Sequence, residues 1–220
     1  MTDPKKGTDP AMEMPKIDMK DVNVGNAFQQ FVSIMKLDKK AIEAVAKNEK
    51  GGAVAGLFLL VGAIAGPLAG WLFGTRLGPI VVRSQLSEML VGAVFAVVIA
   101  ALTIFITTLV ATRLFKGKGS FAEFFRVMGL VYGAYVLNIL GGLVPALSPI
   151  IALVVAIWVL VVSYVAIKTV FKLDDTNAVL TIIVTVVAYL ILGALVGSIM
   201  VSVGLSSMAG MDYSNISVRY

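Results

Sequence analysis

Residues 127–167 read VMGLVYGAYVLNILGGLVPALSPIIALVVAIWVLVVSYVAI, 41 consecutive positions without a charged side chain. As one helix at about 1.5 Å per residue the run would reach roughly 60 Å, twice a hydrocarbon core of about 30 Å. Near its middle stands Pro145-Ala-Leu-Ser-Pro149. Proline removes a backbone donor and clashes with the preceding turn, so two of them flanking a serine mark a bend. The run therefore predicts a hairpin of two membrane helices, over Val127–Val144 and Ile150–Ile167.

Three more charge-free runs lie outside it. Gly51–Thr75 has 25 residues, Met89–Thr112 has 24 and Thr176–Met211 has 36. Each of the first two is long enough for one crossing, and the last predicts a helix from about Asn177 to Gly204. The expectation is an all-α, polytopic transmembrane bundle of about five spans over 51–205. It is preceded by a disordered leader (1–24) and amphipathic cytoplasmic helices (25–50), and followed by an extracytoplasmic tail (206–220).

The composition agrees, with 59% hydrophobic and only 14% charged residues. The net charge of +5 does not suggest nucleic acid, because the basic residues sit between apolar runs rather than in one patch. Lys5, Lys6, Lys16, Lys20, Lys36, Lys39, Lys40, Lys47 and Lys50 precede the first span. Arg113, Lys116, Lys118 and Arg126 follow the second, and Lys168 and Lys172 follow the fourth. Only Arg76, Arg83 and Arg219 fall on the other side. Basic loops stay in the cytoplasm, so the N-terminus is expected inside and the C-terminus outside.

There is no Cys and no His, which removes thiolate nucleophiles, imidazole bases and the usual zinc ligands. No Asp, Glu, Lys or Arg falls at membrane depth, where such groups mark proton relays and ion paths. The chain is expected to be no enzyme and to need no cofactor or metal.

Helix packing is expected at glycine rows: Gly62, Gly66, Gly70 and Gly74 in span one, Gly129 and Gly133 in span three, Gly193 and Gly197 in span five. Small residues at i+4 spacing let backbones approach where lipid competes with every apolar contact. Packing within the chain is the first use of such faces, and a homo-oligomer contact is the second. Membrane-depth hydroxyls are expected to bond their own helix carbonyls. Asn138, beside Gly141-Gly142, is the intramembrane polar residue set apart, as a cross-helix bond or a cavity lining.

Before span one, Phe28, Phe31, Val32 and Met35 recur at i, i+3, i+4 and i+7, one face of a helix. Asp38 can cap a second helix, with Leu37 and Ile42 at the staple positions and Ile42, Val45 and Ala46 as its apolar stripe. Such a segment lies in the headgroup layer or packs on the protein's own loops. Phe28, Phe31 and Met35, with Arg113, Lys116, Lys118 and Arg126, are read as one cytoplasmic interaction surface for membrane lipid or another membrane-associated protein.

The junction of spans two and three reads Ala111-Thr-Arg113-Leu-Phe-Lys-Gly117-Lys-Gly119-Ser-Phe121, then Arg126-Val-Met-Gly129-Leu-Val-Tyr132-Gly-Ala-Tyr135. This resembles the Yip-domain (Ypt/Rab-interacting) family, over roughly residues 25–205 and most specifically over 111–135. Val136-Leu-Asn138 stands where members often carry proline, and the Asp-Leu-Tyr-Gly-Pro signature of eukaryotic members is absent. The resemblance is thus to a prokaryotic-type member, in a bacterial or archaeal cytoplasmic membrane. It implies five spans and a scaffold or adaptor role. For eukaryotic members it implies binding to prenylated Rab GTPases, and for prokaryotic ones no settled biochemistry. A small transporter, channel or lipid-moving protein is the alternative.

Overall fold

The computed structural model describes Met14 and residues 23–77, 80–82 and 84–208; most of the expected leader and residues 209–220 lie outside the described residues. Two short helices, α1 (Val24–Met35) and α2 (Lys39–Lys47), precede α3 (Gly52–Phe73). A small antiparallel pair follows, β1 (Thr75–Leu77) with β2 (Ile80–Val82), in the register Thr75↔Val82. Next come α4 (Leu86–Leu109), α5 (Phe121–Tyr132), α6 (Asn138–Leu143), α7 (Ser148–Phe171) and α8 (Asp175–Met208). A π turn, Val110–Leu114, extends α4, and a 3₁₀ turn, Gly133–Leu137, joins α5 to α6.

Among the described residues, five segments are long and apolar enough to span a membrane: Glu49–Phe73, Leu86–Leu114, Phe121–Leu143, Ser148–Phe171 and Asp175–Leu195. The protein is an all-α integral membrane bundle, the small β pair apart. The hairpin in 127–167 forms as expected, bending through a 3₁₀ turn at Pro145–Leu147 with Pro149 in the first turn of α7. Span three begins six residues earlier than expected, because Glu123 and Arg126 do not bound it. Ser120 and Glu123 form a capping box that starts α5, and Arg126 is buried within that helix. Helix α8 runs unbroken to Met208, past the expected end near 204.

Packing is uneven along the bundle axis. The end that carries α1 and α2, the tail end, holds most of the buried side chains, among them Ile34, Ile42, Ile104, Phe124, Ile167 and Phe171. Phe124 and Phe171 stack there with ring centroids 5.0 Å apart. The far halves of α4 and α7 expose large apolar residues instead, including Val94 and Val98 on α4 and Leu153, Val154 and Ile157 on α7. Lipid is as apolar as these side chains, so their exposure carries no penalty.

Candidate functional site

Two features concentrate the chemistry of this chain: the capped face at the tail end and a cavity inside the bundle.

The tail face begins with α2. The Asp38 carboxylate accepts from the Lys40 and Ala41 N–H groups, the cap anticipated from sequence. Ile42, Val45 and Ala46 are buried against the bundle, where α2 packs on α5 and α7. The two helices thus pack on the protein's own membrane helices, not on its loops.

In α1 the buried residues are Ala27 and Ile34, with Phe31 and Met35 partly covered. The inward face is therefore rotated from the one that the larger side chains outline. Alanine at 27 carries little hydrophobic signal, but its size admits the neighbouring helix. Phe31 stacks on Phe58 of α3 at 5.9 Å, while Phe28 stays 58% exposed. Of the three expected anchors, only Phe28 is available at the surface.

Arg126 is not at the surface either. It is 7% exposed, and its guanidinium donates to the Ala46 carbonyl at the end of α2, while its Nε has no hydrogen-bond partner. A buried guanidinium is expensive without partners, so this side chain acts as the pin between span three and the tail. Arg113, Lys116 and Lys118 remain exposed, in and around the turn between α4 and α5.

That turn carries the family-like residues, and the structure gives them a packing role. A Cβ at Gly117 would stand 2.8 Å from the Phe171 Cβ, and one at Gly119 would stand 2.7 Å from the Val170 carbonyl. The Lys118 N–H donates to the Phe171 carbonyl at 2.9 Å. Glycines here let the turn seat directly on the end of α7.

Polar pairs finish the face. Lys172 bonds Glu43 at 2.9 Å, and its hydrogen bond and charge hold the Glu43 carboxyl below the ordinary carboxylate range. Lys168 and the Tyr164 hydroxyl both bond Asp175. Asp174 accepts from the Asn177 N–H at 2.7 Å and so caps α8. Among the described residues no group of three or more acidic side chains is placed to hold a metal.

The glycine rows divide. A Cβ at Gly62 would lie 1.9 Å from the Tyr132 carbonyl oxygen, and one at Gly129 would lie 2.5 Å from the Ala55 carbonyl oxygen. Helices α3 and α5 thus meet backbone to backbone, with Gly133 against the Phe58 ring. Among the described residues, a Cβ at Gly66, Gly193 or Gly197 would meet nothing within 4 Å, so these three hold no close helix contact there. Gly74 ends α3 at φ 75°, its N–H on the Gly70 carbonyl, so its need for glycine is conformational. Gly142, not anticipated, admits the Phe73 ring. Equal spacing cannot distinguish these uses.

The cavity, of about 730 Å³, lies between α3, α4, α5, α7 and α8. Most of its wall is apolar, but Asn138 lines it together with Thr103, Thr107, Tyr132, Tyr135, Ser163, Thr185 and Tyr189. Thr103, Thr107 and Ser163 donate to the carbonyls of Ile99, Thr103 and Val159 on their own helices. The Tyr132 and Tyr135 rings are 5.4 Å apart. Asn138 Oδ1 and Thr185 Oγ1 are buried without a hydrogen-bond partner. From sequence Asn138 stood out; Thr185 looked like any other membrane-depth hydroxyl.

The Yip1 domain family matches residues 34–208, from the end of α1 through α8. No curated protein and no solved structure matches the chain.

Proposed function

The chain belongs to the Yip1 domain family, and from that premise we propose a non-enzymatic membrane adaptor. Its tail face, on the cytoplasmic side of a bacterial or archaeal membrane, engages a partner protein of acidic surface. One observation carries this reading. Helices α1 and α2 are docked with Ile34, Ile42 and Val45 turned inward, while Lys36, Lys39 and Lys40 beside them and Lys116 and Lys118 on the neighbouring turn stay exposed. A basic surface already held in place loses little freedom on binding, and it steers an acidic partner toward itself. The lack of Cys and His leaves the face few means for covalent or acid–base chemistry.

The test pairs copurification from native membranes with transport in liposomes. Phe28→Ser, Lys116→Glu and Lys118→Glu together should release a bound protein while insertion and folding persist. The parent in liposomes should show no proton-coupled flux. If the triple variant keeps everything that copurifies with the parent, and the parent conducts ions or moves lipid, the adaptor reading fails. The cavity then favours the second reading, a small transporter or lipid-moving protein.

A further inference from the structure

We infer that the cavity within the bundle is a binding site for one uncharged amphiphile drawn from the membrane, with a hydroxyl or amide head on Asn138 and Thr185. Its chain lies along the apolar wall. Such binding requires no transport and leaves the tail face untouched, so it stands apart from the adaptor reading.

Size is the first reason. A volume of about 730 Å³ falls within the range of small-molecule sites and far exceeds a packing defect. Left vacant, the walls would lose dispersion contacts along their whole length. Phe95, Ile99, Ile104, Val159, Ile167 and Ile182 offer water no bonds, so these stretches suit a hydrocarbon chain.

The polar groups then define the head. Three of the lining hydroxyls are satisfied within their own helices and seek nothing further. Two buried atoms are not satisfied, and they come from different elements: Asn138 Oδ1 opens α6, and Thr185 Oγ1 lies on α8 in a residue only 8% exposed. Buried polar atoms are seldom left alone, and a carbonyl oxygen can only accept. The complementary head must therefore donate to Asn138, and a head with more than one hydroxyl can bond Thr185 as well. The Tyr132–Tyr135 pair provides an amphipathic wall beside it.

Charge sets the class. No lining residue is acidic or basic, so an ionised head would enter this low-dielectric space without a counter-charge. Access sets the source. Leu160, Val186, Tyr189 and Leu190 line the cavity and are also exposed on the bundle side, where lipid lies. The ligand enters sideways from the bilayer, past α8.

Monoolein and oleate share one acyl chain and differ in head, an uncharged glyceryl ester with two hydroxyls against a carboxylate. Native mass spectrometry of the full chain released from phosphatidylcholine nanodiscs should show one saturable monoolein adduct and about tenfold weaker oleate binding. Thr185→Val keeps the side-chain shape and should weaken monoolein about tenfold, with the lipid-free melting temperature unchanged or raised. Asn138→Leu should act in the same direction. Gly66→Trp, at a lining position with open space, should block the adduct. Equal binding of the two lipids, unsaturable adducts, or parental monoolein occupancy in Thr185→Val and Gly66→Trp would overturn the assignment.

Discussion

The indole N–H of Trp158 donates to the Met35 carbonyl at 3.1 Å, joining the middle of α7 to the end of α1 across 123 residues of sequence. Trp158 precedes the end of α7 at Phe171 by about 20 Å of helix. The bond ties the bend between α1 and α2 to the side of α7. Trp158→Phe keeps the ring bulk and removes only the donor. It should cost about 1 kcal/mol locally and speed amide exchange over residues 34–40, with the spans unaffected. Unchanged exchange there would show that the bond does not hold the bend.

Gly62 and Gly66 share one helix and one spacing but differ in what surrounds them. Gly62→Leu forces a side chain into the Tyr132 carbonyl and should destabilise the bundle by about 1–3 kcal/mol or abolish folding. Gly66→Leu meets open space and should be mild. Melting in detergent separates them, and equal loss from both would contradict backbone contact between α3 and α5.

Arg126→Ala removes the bond to Ala46 and leaves that carbonyl without its partner. A hydrogen bond to a charged group contributes about 1.5–3 kcal/mol, so the tail should loosen before the spans do. Limited trypsin digestion should then cut faster at Lys36–Lys50, while cutting at the turn between α4 and α5 keeps the parent's rate. Resistance equal to the parent would remove Arg126 from its role as pin.

Acid should weaken the same docking. Lys172 depresses the folded pKa of Glu43, so the pair's stabilisation is present above the unfolded carboxylate value of about 4.3. It is lost as pH falls through the lower, folded value. The effect should be small, because both groups are solvent-exposed, and smaller still in high salt. Glu43→Gln should remove this component of the acid transition, followed by amide exchange in α2. A transition identical to the parent's would show that the pair does not couple to docking.

The proposed orientation is open to labelling. In intact cells, Lys118→Cys should react with an impermeant maleimide only after the membrane is opened, and Leu147→Cys should react from outside. Both side chains are exposed, so burial will not mask either result. Labelling of position 118 from outside would reverse the proposed topology.

Hydropathy made the five spans legible because bilayer thickness fixes the length of a crossing helix. Proline chemistry placed the bend at 145–149, and the Asp38 cap marked the start of α2. Sites were less legible. Arg126 looked like a loop charge because no local rule tells that a carbonyl 80 residues away will receive it. The glycine row looked uniform because spacing records neither which neighbour crosses nor where. The cavity needed five helices in register before two hydroxyl- and amide-bearing residues could be seen to lack partners.

The bonds that hold the tail also impose an order of assembly. Helices α1 and α2 leave the ribosome before Arg126, Trp158 and Lys172, which follow by 80 to 129 residues. At about 5–20 residues per second, the amphipathic segment waits on the order of ten seconds for the last of these bonds. Its seat on α3 and α5 is made earlier, but the bonds to Trp158 and Lys172 can close only once span four is complete. Tail docking is thus completed late in biosynthesis, and a chain stalled before α7 would display an epitope that the finished protein hides.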